Sequence, residues 1–317
     1  MGFVDPRTDF GFKRIFSSER SKPVLRNFLN AIVYDGEARI IDLEIIDPYQ
    51  NPALYSLKQS ILDIKAVLSD ETIVLIEMQI LPVEAFAERI LYNTAKAYAS
   101  QLERGQPYLS LKPVISVTIA DFVLFPGDEG SVPISRFKLR DARGRCCSDH
   151  LELIFAELPK LSERTEELDK RSDLWLYFIQ QAGKLNDVPA ILDNREFDTA
   201  FEIANESQLS REEYELSEKQ RLKLLDEQGR LSFAIKQGRK EGREEGRAEG
   251  RAEGRSEGRE EGREEGREEG REEGREEGRA EERLDVARSM LTELDVDAVC
   301  RITGLAREVV ERLVAER

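Results

Sequence analysis

The chain has 317 residues, of which 40% are apolar, and a formal net charge of −16. Its apolar runs are shorter than the roughly 20 residues of a membrane span. Its first residues lack the basic segment followed by an apolar segment that is typical of a secretory signal. The three cysteines form neither a disulfide framework nor a zinc pattern. We therefore expect a cytoplasmic protein with no membrane partner.

A single histidine, His150, narrows the classes of enzyme to which the chain could belong. Hydrolysis by Ser-His-Asp or Cys-His groups and histidine-based nuclease chemistry each need a well-placed imidazole. His150 precedes an apolar run and is predicted to be structural. Neither GxxxxGK[ST] nor GxGxxG occurs. An enzyme with this composition is expected to use carboxylates and a bound metal ion.

The charge is spread unevenly along the chain. Residues 1–155 carry 18 Lys+Arg against 21 Asp+Glu, so most of the acidity lies further along. The net charge disfavours broad affinity for nucleic acid, but the distribution of charge is compatible with a local basic groove in the first half.

Residues 1–158 alternate between helical and strand-like patterns, which predicts a compact α/β module. The predicted elements are, in chain order, helices from Thr8 and over 22–34, strands over 39–46, 60–68 and 72–81, a helix over 82–105 and a strand over 113–125. Thr8 is a predicted N-cap, Pro23 and Pro82 lie in first turns, and Gly105 stops the long helix. The run at 150–158 predicts either a further strand or the start of a helix.

Beyond this module, residues 159–236 are predicted to be a helical extension and residues 237–283 a low-complexity spacer. In the spacer a glycine recurs every four residues, in units such as GREE. A period of four drifts by about 40° per unit on a helix, so no apolar stripe can form. Glu–Arg pairs four apart favour the helix, whereas each glycine disfavours it. We expect a marginal helix there.

Residues 284–317 are predicted to be a small helical tail whose spacing resembles a helix-turn-helix. Asp295 is the expected cap of the first short helix. In the second helix Arg307 and Arg312 are offset by Glu308 and Glu311, whereas a helix that reads DNA would carry basic or amide side chains. The tail is therefore interpreted as a packing or self-association element, with DNA reading as the alternative.

The strand TIVLIEMQIL contains two polar residues, Glu77 and Gln79, on one face. Burying a carboxylate is costly unless something pairs with it. The preceding turn pairs Val67 with Ile73, and this register sets Asp63 opposite Glu77, with Cβ atoms about 5 Å apart. Two carboxylates and a backbone carbonyl would suit Mg²⁺. The alternative is that both acids are ordinary polar residues near strand ends.

Four stretches together resemble the PD-(D/E)XK nuclease family transposases, also called the recombination-promoting nuclease (Rpn) family. They are DPRTDFGFKRIF, LDIKAVLSDETIVLIEMQ, RILYNTAKAYASQLERGQPYLSLKPVISVTIADF and HLELIFAELPK, and the similarity runs over roughly 3–180. The resemblance implies a restriction-endonuclease-like core, with a mixed sheet flanked by helices, and metal-dependent cleavage of double-stranded DNA. It places Asp63 at the first catalytic aspartate, Glu77 at the acidic position and Gln79 at the lysine position of the (D/E)XK element.

Glutamine is a departure from the general superfamily pattern, although ExQ is usual in this branch. Gln79 cannot be a general base, but its amide can orient a water or a phosphate oxygen. Lys65, on the face of Asp63, is a candidate for the missing cation or a solvated strand lysine.

Three further residues are accessory candidates. Asp9 lies in a stretch that resembles the family but also suits the first turn of a helix. Arg89 and Tyr92, one turn apart on the helix after the motif, are candidates for contact with a phosphate or for packing of that helix.

The predicted function is a Mg²⁺-dependent DNA endonuclease, with metal ligands Asp63, Glu77 and the Met78 carbonyl, and with Gln79 positioning water. The alternative is a catalytically inactive module of the same fold that binds DNA or serves assembly.

Overall fold

The computed structural model describes residues 2–46, 63–127, 132–162 and 164–316. The chain divides into two compact units, Met1–Leu231 and Ser232–Arg317. Within these described ranges, every helix is too short or too polar to span a membrane.

The first unit is built on a mixed six-stranded sheet. Its strands are β1 (Leu43–Ile46), β2 (Ile64–Leu68), β3 (Ile73–Gln79), β4 (Val114–Ala120), β5 (Ile134–Arg140) and β6 (Cys146–Glu157). Their order across the sheet is β1-β2-β3-β4-β6-β5. The first three strands form an antiparallel meander. Strand β4 is parallel to both β3 and β6, and the edge strand β5 is antiparallel to β6.

Helices cover both faces of the sheet. They are α1 (Asp9–Phe16), α2 (Lys22–Val33), α3 (Phe86–Ala99), α4 (Arg171–Gln181) and α5 (Arg195–Ala204). Trp175, Phe28 and Phe197 belong to the main core, in which α1, α2, α4 and α5 pack on the sheet residues Val74 and Ile76. A smaller cluster around Phe86, Ile90 and Phe155 joins α3 to the opposite face.

The central strand β4 explains how the sheet is held between two helical layers. Its sequence VISVTIA is buried along its whole length, as expected for a parallel strand covered on both faces.

Along the neighbouring strand β3, successive side chains point to opposite faces of the sheet. Val74, Ile76 and Met78 face the main core, and Leu75, Glu77 and Gln79 therefore point to the face that carries α3.

Most predicted elements of the first unit are present, with ends a few residues inside the predicted ones. The predicted ends of the long helix were wrong, since α3 begins at Phe86, after Pro82, and ends at Ala99, before Gly105. Thr8 caps α1, since its side chain accepts a hydrogen bond from the backbone N–H of Gly11. Of the run at 150–158, residues 150–157 lie in β6, so the run is a strand and not the start of a helix. Residues 60–62 of the predicted second strand lie outside the described residues. Strand β5 was not predicted from the sequence, because ISRFKLR is half exposed and carries the charges typical of an edge strand.

The last helix of the first unit, α6 (Arg211–Met290), continues into the second unit and includes the glycine repeat. Its first turns pack on α1, where Glu213 pairs with Arg14 at 2.7 Å and Gln220 accepts a hydrogen bond from the Phe10 N–H. The second unit also contains α7 (Val296–Thr303) and α8 (Arg307–Ala315). Its small core includes Ala287, Val299 and Val310.

Candidate active site

The register of β2 on β3 brings the two motif strands together as predicted. Val67 pairs with Ile73 and Ile64 pairs with Ile76, so the same register continued by one residue sets Asp63 opposite Glu77. Asp63 directly precedes β2, and its Oδ2 accepts a hydrogen bond of 2.7 Å from the backbone N–H of Met78. The start of β2 is thereby fixed to the middle residue of the Glu-Met-Gln motif.

Burial raises the pKa of the Asp63 carboxyl above its ordinary value, the Met78 N–H lowers it, and the negative charge of Asp9 raises it further. The pKa of Glu77 is also raised, first by burial and then by the charge of Asp63, whereas Arg89 lowers it. Each carboxylate is thus destabilised in its ionised form by its surroundings. A positive charge placed between them would relieve that destabilisation.

Glu77 is the most deeply buried member of the motif, with a side chain that is 8% exposed. Its Oε1 forms an ion pair with the Arg89 guanidinium of α3. Its Oε2 is buried and has no hydrogen-bond partner among the described residues. A buried carboxylate oxygen without a partner is costly, so this atom has unused capacity to bind a ligand.

Gln79 lies on the same face and shares the arginine with Glu77. Its Oε1 accepts a hydrogen bond of 2.9 Å from Arg89, and its Nε2 donates to the Leu81 carbonyl, also at 2.9 Å. The side-chain amide is therefore held at both ends. Each of these two amide atoms has the capacity for one further hydrogen bond.

The accessory candidates Arg89, Asp9 and Tyr92 differ in their contacts with the motif residues. Arg89 reaches the motif, as just described. Asp9, in the first turn of α1, pairs with Lys13 at 2.7 Å and is close enough to act on the pKa of Asp63. Tyr92 is exposed and forms no hydrogen bond with any described residue. Its two predicted roles, contact with a phosphate and packing of α3, therefore stay predictions.

Lys65 shares the face of Asp63 and Glu77, because it pairs with Leu75 of β3. Within the described ranges it forms no ion pair with either acid. Burial lowers the pKa of its ammonium group. It is thus a half-buried strand lysine beside the motif.

The single histidine lies at the other end of the strands. Leu151, the residue after His150, pairs with Val114 at the start of β4, whereas Glu77 pairs with Thr118. Four residues of strand separate these levels, about 13 Å. The His150 Nδ1 is hydrogen-bonded to the Tyr98 hydroxyl at 3.0 Å. It takes no part in the site, in agreement with the structural role predicted for it.

Two residues that the sequence analysis missed come from the neighbouring strand β4. Thr118 pairs with Glu77 across the parallel strands and lies on the same face. Its hydroxyl is buried and, like the Glu77 Oε2, has no partner among the described residues. Asp121 follows β4, and its backbone N–H donates to the Gln79 carbonyl at 2.9 Å. The pairing of β3 with β4, which alternation within one strand does not reveal, brings them to the site.

Asp121 also belongs to a buried ion-pair network. Arg7 pairs with Asp5 at 2.8 Å and with Asp121 at 3.0 Å, and all three side chains are largely buried. Burial raises the pKa of Asp121, and Arg7 lowers it. The network fastens the N-terminal segment to the end of β4, next to Gln79.

A divalent cation such as Mg²⁺ needs several oxygen ligands. No cluster of three or more His, Cys, Asp or Glu ligands occurs in the part of the chain that the structure describes. Among these described residues, however, the Asp63 Oδ1 and the Glu77 Oε2 have no hydrogen-bond partner and can take a ligand. The Met78 carbonyl points to the same edge of β3 as the Met78 N–H that binds Asp63. Three oxygen donors fit Mg²⁺ or Mn²⁺, which keep several waters as ligands.

A mixed sheet between helices, with Asp, Glu and Gln on adjacent strands, defines a restriction-endonuclease-like α/β fold. The family model of the PD-(D/E)XK nuclease family transposases matches residues 6–234, well over half of the chain, and the chain belongs to this family. Comparisons with curated proteins and with solved structures gave no match. The matched range includes the start of α6 and so runs past residue 158. The division of the chain into domains stays a prediction.

Proposed function

We propose that this protein is a divalent-metal-dependent DNA endonuclease, in line with the nuclease family to which it belongs. The observation that carries the proposal is the Asp63–Met78 hydrogen bond. It sets the Asp63 carboxylate beside that of Glu77, whose Oε2 is buried without a partner. Such a pair of acids is expected where a cation is to be bound.

In this proposal Asp63, Glu77 and the Met78 carbonyl hold the cation, and Gln79 orients the attacking water through its amide. The water oxygen bonds to phosphorus in line with the leaving oxygen, whose bond to phosphorus breaks. The water gives up a proton to solvent, and the leaving oxygen takes up a proton from solvent to become a hydroxyl group. When bound, the cation supplies Lewis-acid stabilisation of the phosphate and lowers the pKa of water. Gln79 cannot accept that proton, and the only histidine lies elsewhere.

We further propose double-stranded DNA as the substrate, residues 237–283 as a spacer and residues 284–317 as a packing or self-association element. The exposed repeat and the small core of the tail support these roles. A cytoplasmic location is supported by Cys146 and Cys147, which are exposed and form no disulfide, as in a reducing compartment.

One observation favours the alternative, an inactive module that binds DNA or serves assembly. Arg89 supplies a positive charge at Glu77, which is where a cation would bind. Incubation of purified protein with supercoiled plasmid, with and without Mg²⁺, separates the two functions. Nicking that needs Mg²⁺ supports the endonuclease, and binding without nicking supports the alternative.

A further inference from the structure

Arg89, on the helix α3 that packs on the sheet, contacts both the motif residues and solvent. Its Nη2 contacts both Glu77 Oε1 and Gln79 Oε1, and its guanidinium lies over the Phe86 ring, 5.0 Å from the centroid. The side chain is nevertheless 43% exposed. One end of the guanidinium is therefore in the site while the rest faces solvent.

Most of the hydrogen-bonding capacity of this arginine is unused. A guanidinium has five N–H donors in a planar fork, and only the Nη2 group has partners among the described residues. The contact with the Phe86 ring orients the planar guanidinium group without using any of its N–H donors. The free donors match the geometry with which arginine binds a phosphate in two parallel hydrogen bonds.

We propose that Arg89 is a positioning residue that exchanges partners, neutralising Glu77 before a divalent cation binds and contacting the DNA phosphate afterwards. A cation bound by Glu77 and a guanidinium on the same carboxylate repel each other in a half-buried site. Binding of the cation therefore drives Arg89 from Glu77 towards solvent, where the phosphate arrives. This inference rests on the proposed endonuclease function.

The first test measures the affinity for Mn²⁺ alone by titration calorimetry on the full chain. If Arg89 competes with the cation, Arg89→Gln binds Mn²⁺ roughly fivefold more tightly than wild type, as expected for loss of a part-exposed ion pair. A merely structural role would weaken binding instead. Arg104→Gln, the same change at an exposed position, serves as the matched control and keeps wild-type affinity.

Glu77→Gln separates failure of this inference from failure of the proposed function. If wild type and Glu77→Gln bind Mn²⁺ equally well, or neither binds it, there is no cation site at Glu77 and both proposals are overturned. If binding depends on Glu77 but Arg89→Gln binds Mn²⁺ no more tightly than wild type, the endonuclease proposal stands and the exchange of partners is wrong.

The second test concerns the phosphate contact. Affinity for a short DNA duplex is measured against salt concentration, with and without Ca²⁺, which takes oxygen ligands as Mg²⁺ does. With Ca²⁺ the slope of log affinity against log salt should be smaller by about 1 in Arg89→Gln than in wild type, because one phosphate contact is lost. Without Ca²⁺ the two slopes should agree. Equal slopes in Ca²⁺ would contradict the transfer of Arg89 to phosphate.

Discussion

The Asp63 carboxylate accepts a hydrogen bond of 2.7 Å from the backbone N–H of Met78. Asp63 therefore contacts the residue between Glu77 and Gln79 and not only its cross-strand neighbour. This bond aligns the two motif strands at the ends where Asp63 and Glu77 lie. Among the residues that the structure describes, the second oxygen of Asp63 has no hydrogen-bond partner, so it can take a ligand.

The two acids should make the stability of the metal-free protein depend on pH. Because the pKa of each carboxyl is raised in the folded state, each contributes stability that is present below its ordinary value and is lost as the pH rises through the raised one. Asp63→Asn keeps an acceptor for the Met78 N–H but cannot ionise. We expect its free energy of unfolding to equal or exceed that of wild type at pH 8.

The difference between Asp63→Asn and wild type should shrink as the pH falls towards the ordinary value of 3.8. Urea unfolding followed by tryptophan fluorescence measures it, since Trp175 is the only tryptophan and is fully buried in the first unit. A variant that is clearly less stable than wild type at pH 8 would show that the ionised Asp63 stabilises the fold.

Gln79 should contribute to the rate through its amide. Gln79→Leu keeps the size of the side chain but loses the hydrogen bonds to Arg89 and to the Leu81 carbonyl. We expect it to slow Mg²⁺-dependent cleavage roughly tenfold, for a barrier increase of about 1–3 kcal/mol. Single-turnover cleavage of a short duplex measures this rate. If the two proteins cut at the same rate, Gln79 serves only for packing.

Arg7 should be important for stability, because its removal leaves Asp5 and Asp121 buried without their cation. We expect Arg7→Gln to lower the free energy of unfolding by about 3–5 kcal/mol. Arg211→Gln is a suitable control, since the ion pair of Arg211 with Glu215 is exposed and should contribute less than about 1 kcal/mol. Similar losses in both variants, measured by urea unfolding, would argue against a special role for the buried network.

The sequence predicted the motif strands well and their surroundings poorly. Apolar alternation and the length of the turn were enough to set the register of Val67 on Ile73. Neither pattern contains information about which strand lies next to β3. Thr118 and Asp121 were therefore missed, because they reach the site through the parallel pairing of β3 with β4.

The ion pairs of Arg7 and Arg89 could not be predicted from the sequence either. Arg7 lies in a stretch that resembles the family, yet no local pattern indicates that it pairs with a residue more than a hundred positions away. Arg89 was a candidate for contact with phosphate. Its ion pair with Glu77 depends on how α3 packs on the sheet, which its amphipathic pattern does not specify.

The glycine repeat should be dispensable for cleavage. Its residues are exposed, and a charged segment without an apolar stripe tolerates changes in length at little cost. We expect deletion of residues 246–267 to leave the Mg²⁺-dependent rate per site unchanged on both a short duplex and a plasmid. A large loss on both substrates, with the fold verified by circular dichroism, would mean that the repeat contacts DNA or the first unit.

We propose that Asp63 and Glu77 form the metal site of an endonuclease. The most direct measurement is nicking of supercoiled plasmid in Mg²⁺ by wild type, Asp63→Asn and Glu77→Gln, each first shown to be folded by Trp175 fluorescence. We predict that wild type nicks the plasmid only when Mg²⁺ is present and that neither variant does. Nicking by either variant at the wild-type rate would contradict the assignment.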